Sequence, residues 1–574
     1  MSVISELKRR NVFRMMALYI IAAWLIMQVA EVVITLANLP DWIGPTILGL
    51  LAVGFPIAMI FSWLYEITPD GVSLEKNVSP TESITHITGR RLDFLVISLL
   101  AAAVIMLAYD KWWPSAPSDQ SIAVLPFVNM SADPVQEFFS DGISEEILNL
   151  LTKVPDLLVI SRSSAFSFKG QNVDIPTIAD KLNVAHILEG SVRKSSNQLR
   201  ITAQLIDVEF DRQLWSETYD RELKGVFAIQ DEIAAAVVDA LKISLLGGKP
   251  RATETDPEAY ALFLQARHIR TFGAAGGYMT QEGYRQAEAL LKQALTIDPG
   301  YAPAWTELSH VYREQSAHHN IRPFDEGYEL ARHAIHQARA LDPQYGPAYT
   351  ALAQIEGQYD WNFTAAFQHL DKALSLDPND VYTLRMAAGR EYMLGHLEKA
   401  IDLNRQVIAQ DPVWPEGYRS LARALHAAQH LEAAEATIRM AQFLSSDSAV
   451  GYSRLGKVLL AQGDPPAALA AMEQETGVVN RLTGTAIVQH ALGDTGASDA
   501  ALQEVIENWA TFAAYQIAEV YSYRDEIDHA FDWLQLAYNN RDPGLPNMLP
   551  NPLFANLHDD PRWELLLDKM GLPH

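Results

Sequence analysis

The chain contains no cysteine among its 574 residues. That excludes thiolate nucleophiles, CxxC redox chemistry, thiolate metal sites and lipid attachment through sulfur. Basic charge is also scarce: 44 Lys and Arg stand against 70 Asp and Glu, for a formal net charge of -26. Binding a phosphate backbone requires clustered cations that displace counterions, so no nucleic-acid partner is expected. The familiar catalytic signatures are missing too. The chain has no GxSxG elbow, no GxxxxGK[ST] loop, no GxGxxG and no HExxH. Gly247-Gly248-Lys249-Pro250 lacks the upstream glycine and the Ser or Thr of a phosphate loop, and reads as a linker. No catalytic residue, cofactor or metal is expected, and the chain reads as a non-enzyme.

A chain this long exceeds one hydrophobic core. Three parts are expected: a membrane anchor over 1–113, an α/β domain over 114–250, and a helical array with a C-terminal cap over 251–574. The fold class is thus multidomain, with three N-terminal transmembrane helices, a small α/β domain and an all-α superhelix. The apolar runs Met15 to Leu36, Trp42 to Leu64 (with Pro56 inside it) and the slightly short Leu92 to Tyr109 predict the spans. Trp42, Trp63, Tyr65, Tyr109, Trp112 and Trp113 flank them as headgroup-seeking aromatics. Lys8, Arg9, Arg10 and Arg14 precede the first run, and Lys76, Arg90 and Arg91 lie in the loop Thr68 to Arg91. Positive charge is retained in the cytoplasm, so the C-terminal domains are expected in the periplasm of a bacterial inner-membrane, multi-pass protein with the lipid bilayer as a partner. Two further readings belong to the first run. Thr35-Leu36-Ala37 is a weak cleavage-like site, and Glu31 is either an intramembrane functional carboxylate or one that reaches water near the outer end.

Beyond the Pro- and Ser-containing linker Pro114 to Gln120, strand-like and helix-like segments alternate. Strands are expected at Ile122 to Phe127, Leu157 to Ser161, Ala185 to Arg193, Leu199 to Asp207 and Gln213 to Tyr219. Helices are expected at Val135 to Leu151, Ile175 to Leu182 and Phe227 to Leu245. The segments Ile122-Ala-Val-Leu-Pro-Phe127, Phe139-Ser-Asp-Gly-Ile-Ser-Glu-Glu-Ile147, Leu188-Glu-Gly-Ser-Val192, Arg200-Ile-Thr-Ala-Gln-Leu-Ile-Asp207 and Leu214-Trp-Ser-Glu-Thr-Tyr-Asp220 resemble the FlgO/TolB-N-like domain. That resemblance implies an accessory domain of bacterial membrane-bound repeat proteins, shared with adenylate-cyclase-like and CadC-like proteins. It supplies no active site. The chain shows neither a cyclase catalytic domain nor room for a winged helix before Met15.

The second half repeats itself. Asp298-Pro299, Asp342-Pro343, Asp377-Pro378 and Asp411-Pro412 recur at steps of 44, 35 and 34 residues, near the ~34-residue unit of tetratricopeptide (TPR) helical hairpins. Trp305, Leu308 and Tyr312 face Ala331, Ile335 and Ala338, and Tyr418, Leu421 and Ala422 face Ala434, Ile438 and Ala441. Small residues there permit close helix approach. After Ala470 the pattern degrades, although Asp499 to Glu507 and Phe512 to Tyr538 still read as paired helices. Asn551 to Leu572 resembles a terminal cap.

Several clusters invite chemistry. His333 with His336, and His426 with His430, have helical spacing that suits two metal ligands or ordinary surface histidines. Ser144-Glu145-Glu146 and Gln230-Asp231-Glu232 suit helix first turns or, alternatively, acid-base pairs. Aligning the repeats places Arg313, Arg385, Tyr392, Arg419, Arg423, His426 and Lys457 on the concave face, as a clamp for a protein or peptide partner with an acidic or carboxylate-bearing segment, or as an ordinary solvated surface. The leading expectation is an adaptor or scaffold. A transmembrane sensor or transducer is the alternative, and oligomeric state is left open.

Overall fold

The computed structural model describes residues 118–573 apart from 134–135, 155, 196, 242–252, 273–279, 318–320 and 446–450. Before residue 118 it describes strands at 65–68 and 71–74 and scattered helical positions between 16 and 56. Two compact units result, Met1–Ala116 and Pro117–His574.

The first unit corrects the membrane expectation. Among the described residues no helix is long and apolar enough to cross a membrane. A span needs an uninterrupted helix of ~20 residues, and apolar runs of that length are satisfied equally by packing on one another. Tyr19, from the first run, donates its hydroxyl to the Leu51 carbonyl of the second at 2.8 Å, and its ring meets Phe55 edge-on at 5.6 Å. Beyond Leu64 the chain turns at once into an antiparallel hairpin, Tyr65–Thr68 (β1) with Gly71–Leu74 (β2). With no such helix among the described residues, the positive-inside argument loses its footing. The inner-membrane and periplasmic assignments, and the bilayer as partner, fall with it. Leu92 to Tyr109, Glu31, Thr35-Leu36-Ala37 and the Gly247 to Pro250 linker lie outside the described residues.

In the second unit, strands β3 (Ser121–Val124), β4 (Val128–Asn129), β5 (Leu158–Val159), β6 (His186–Ser195), β7 (Gln198–Asp207) and β8 (Arg212–Glu222) form one sheet, ordered β5-β3-β6-β7-β8 with β4 also on β6. Strand β3 runs parallel to both neighbours and is buried on both faces, which is why it reads as a continuous apolar run. Ile122 and Val124 join the core beneath helices α1 (Glu137–Thr152) and α4 (Val226–Ala240). Ala123 and Leu125 join the opposite core beneath α2 (Arg162–Phe166) and α3 (Ile175–Leu182). Local chemistry sets the helix ends. Asp174 caps α3 by accepting from the Thr177 amide at 2.8 Å, Pro176 opens the helix, and Asn183 closes it in the left-handed conformation. The five expected strands hold to within a few residues, while β4 and α2 are additions. Glu145, Glu146, Asp231 and Glu232 lie inside α1 and α4, not in their first turns.

Helices then pair in succession: α5 (Pro257–Phe272) with α6 (Gln281–Ile297), α7 (Ala302–Ala317) with α8 (Phe324–Leu341), α9 (Gly346–Ile355) with α10 (Phe363–Leu376), and α11 (Val381–Met393) with α12 (Leu397–Gln410). The pairs α13 (Pro415–Ala427) and α14 (Leu431–Leu444), α15 (Tyr452–Ala461) and α16 (Pro465–Glu473), α17 (Val478–Ala491) and α18 (Thr495–Trp509), and α19 (Ala514–Tyr523) and α20 (Ile527–Asn539) continue the stack, and α21 (Pro561–Met570) closes it. Each Asp-Pro aspartate is the C-cap of the second helix in its pair, because the residue before proline is driven out of helical space. The hairpin order persists past Ala470, where the sequence pattern fades. Its lasting mark is the turn inside each pair from α11 onward, where Gly395, Gln429, Gly463, Gly493 and Asp525 take positive φ at intervals of 34, 34, 30 and 32 residues.

The α/β domain and the array share packing. Tyr260 of α5 lies against Phe139 and Phe227, and its hydroxyl accepts from Gln230 at 2.7 Å. Gly142 on α1 is needed there, since a Cβ would meet the Leu264 side chain at 2.6 Å. Further along, Asp411 accepts from the Ser163 and Ser164 hydroxyls at 2.6 and 2.5 Å.

Candidate functional site

The first helix of each pair supplies most of the side chains that line the two polar interior cavities. Two other parts of the chain wall those cavities. At the N-terminal end, Glu145 and Asn149 of α1 close a polar cavity of about 550 Å³ against α5, α7, α9 and α11. At the C-terminal end the stack curls until its last pair meets its third. Trp361 stands edge-on to Tyr538 at 6.2 Å, and Arg541 donates to the Tyr359 carbonyl at 2.5 Å. The proline-rich stretch Asp542 to Pro552 follows and returns across the inner face. Pro543 and Pro546 bound a largely apolar cavity of about 680 Å³ that Trp361, Phe367 and Met393 also line. Asn547 borders both this cavity and a polar one of about 350 Å³, which Gly544, Asn551 and Pro552 help to enclose.

The seven candidate residues divide between these spaces. Arg313 lines the 550 Å³ cavity, and Arg385 lines both it and the apolar one. Tyr392, Arg419, Arg423, His426 and Lys457 line the 350 Å³ cavity together. Their electrostatic states differ. Arg313 pairs with its neighbour Glu314, Arg419 with Glu416 at 2.5 Å, and Lys457 with the buried Glu519 at 2.7 Å. His426 is buried, and loss of hydration, helped by Arg454 and Lys457, pushes its pKa down to about 4. At neutral pH it is an uncharged imidazole offering one N–H, not a cation.

Arg385 and Arg423 are different. Arg385 lies over the rings of Tyr382 and Trp414 at 4.5 and 5.0 Å, and Arg423 over Tyr392 at 4.5 Å. Among the described residues neither has a carboxylate within ion-pair distance. Arg423 makes one long contact, 3.5 Å to the Asn547 side chain, and its buried Nε has no partner. Aromatic faces hold these guanidiniums in place while leaving their N–H edges available.

Arg454 escaped the sequence reading. It lies one helical turn before Lys457 on α15 and lines the same cavity as Arg423. Only its three-residue spacing from Lys457 could have pointed to it. The acidic pair Glu145 and Glu146 is held in ion pairs. Glu145 and Glu146 pair with Arg267 at 3.5 and 2.7 Å, and Glu145 also holds Arg162 at 2.9 Å. Among the described residues no group of three His, Cys, Asp or Glu side chains is arranged to hold a metal ion.

No family model matches the chain. Over 201 residues it is 44% identical to a protein named "Putative adenylate cyclase 3" from Rhizobium meliloti (strain 1021), a stretch that is 34% of this chain and 33% of that protein. The chain thus spans about a third of the length of the curated relative it matches. Among solved structures it is similar to Pseudomonas aeruginosa PilF (16% identity, 37% of this chain and 93% of that one, TM-score 0.30). It is also similar to PilW, a type IV pilus biogenesis factor (16%, 44% and 95%, TM-score 0.29), and to YrrB, a TPR protein with an unusual peptide-binding site (18%, 36% and 92%, TM-score 0.24). At such scores the repeat assignment rests on the helix pairs of this chain.

Proposed function

We propose that this protein is a binding scaffold that captures a protein segment along the inner face of its helical array. The observation that carries the reading is the pair Arg385 and Arg423, stacked on aromatic rings at the cavity walls with no paired carboxylate among the described residues. A partner carboxylate reaching either guanidinium gains charge-assisted hydrogen bonds without first breaking an internal ion pair. The apolar cavity beside Arg385 takes the partner's non-polar side chains. Arg313, Arg419 and Lys457 are already paired, so a partner carboxylate meets them only in competition with Glu314, Glu416 and Glu519. The work of this surface is recognition and not turnover.

The test is capture by the full chain carrying Arg385→Glu with Arg423→Glu, beside the outer-face control Arg439→Glu. The double charge reversal is expected to lower capture of the partner at least tenfold while the control leaves it unchanged. Equal capture by all three proteins would remove the reading. Steady nucleotide turnover by the purified chain would also remove it, and would favour the activity named for the Rhizobium relative.

A further inference from the structure

We infer that the 350 Å³ cavity is an oxyanion site built on Arg423 and Arg454, a receptor for a carboxylate or phosphate group. Four cations and three carboxylates line it: Arg419, Arg423, Arg454 and Lys457 against Glu416, Glu475 and Glu519. Each carboxylate is already engaged. Glu416 holds Arg419 and Glu519 holds Lys457. Glu475 accepts the backbone amides of Ser453 and Gly477, both at 2.9 Å. What remains is two guanidiniums lining one cavity. Among the described residues Arg454 has no hydrogen bond and no ion pair, and Arg423 has a buried Nε without an acceptor.

Such an arrangement costs stability. Loss of hydration and the neighbouring Arg423 both hold the Arg454 guanidinium below its usual pKa, and Glu519, Glu416 and Tyr392 only partly offset them. Two like charges held near one another without a paired carboxylate are relieved when a ligand brings negative charge to them. A carboxylate or phosphate suits this pair chemically, because its oxygens accept the parallel N–H donors that a planar guanidinium presents. The neutral His426 borders the space as a further polar contact. The return stretch Asp542 to Pro552 forms one wall of the cavity.

This inference rests on the scaffold reading only in placing partner capture at the same cavity. Its test uses small anions, so the two can fail separately. Thermal unfolding and calorimetric titration of the full chain would be measured with inorganic phosphate, with succinate, and with an acidic hexapeptide bearing either a free or an amidated C-terminus. Sodium chloride at matched ionic strength is the baseline. Binding of at least one oxyanion with a dissociation constant below about 1 mM, and a rise in Tm, is expected. A response to the free peptide but not its amide identifies a peptide end as the source, whereas a response to phosphate alone identifies free phosphate. Arg454→Gln is expected to abolish the response and to raise the ligand-free Tm by relieving the charge pair. Arg454→Lys should fold normally and bind at least tenfold more weakly. No binding above the chloride baseline, a response retained in Arg454→Gln, or a ligand-free Tm that falls in that variant would overturn the assignment.

Discussion

Asp411 is where the α/β domain and the array can be pried apart. Its carboxylate is 5% exposed and accepts from Ser163 Oγ and Ser164 Oγ at 2.6 and 2.5 Å, across nearly 250 positions of sequence. Ser164 is fully buried, and its oxygen also accepts the Val413 amide at 3.2 Å. Beside them the Ser161 amide donates to the Gln410 carbonyl at 2.6 Å. Hydrogen bonds to a charged acceptor contribute about 1.5–3 kcal/mol each, offset by the desolvation of the carboxylate. Asp411→Ala removes two of them and leaves the buried Ser164 hydroxyl without an acceptor, so a loss of about 2–4 kcal/mol is expected. Ser164→Ala alone should lose about 1–2 kcal/mol. Because the two share one bond, the double variant should lose about 1–2 kcal/mol less than the sum. Urea unfolding followed by circular dichroism measures all four corners of the cycle. Additivity within about 0.3 kcal/mol would refute the claim that this contact joins the two parts.

The turns inside the hairpins make a paired prediction. Gly463 has φ +84° and Gly389 lies within α11, and nothing stands within 4 Å of a Cβ at either. Gly463→Ala should therefore lose about 1 kcal/mol to backbone strain, and Gly389→Ala should gain about 0.5–1 kcal/mol, both read from denaturant midpoints. A stabilising Gly463→Ala would contradict the turn assignment. Acid should unfold the array partly through His426. Its pKa is near 6.5 when unfolded and about 4 when folded, so its contribution is complete above pH 6.5 and is lost as pH falls toward 4. That loss amounts to at most about 3 kcal/mol, and His426→Gln should flatten the stability profile across that window by a similar amount. An unchanged profile would mean that the imidazole is hydrated in the fold.

Much of this fold was legible before any coordinates. The Asp-Pro pairs announce helix ends because proline acts locally on the residue before it. The uniform apolar run at β3 and the alternation in β7 report burial on two faces and on one. The later repeats hid because their Asp-Pro ends stop at Asp411, whereas Gly463-Asp464 and Gly493-Asp494, which mark their inner turns, carried the period onward. The N-terminal runs misled for a physical reason. Apolar length alone does not distinguish a helix facing lipid from helices facing one another, as the Tyr19 contacts with Leu51 and Phe55 show. The candidate groove residues could be placed on a face, but their charge states could not. Whether Arg419 is free depends on Glu416, three residues away, and could have been foreseen. Lys457 meets Glu519 only because the stack curls back, and Asn547 reaches Arg423 for the same reason. Contacts of that range have no local signature.

The most direct test of the scaffold account is site-specific photocrosslinking in cells, with the reactive residue placed at Gln358 or Ser420 on the inner face, or at the exposed Glu432 on α14. The account predicts one discrete protein adduct from both inner positions and none from Glu432. Adducts from Glu432 alone, or the same adducts from all three positions, would contradict it.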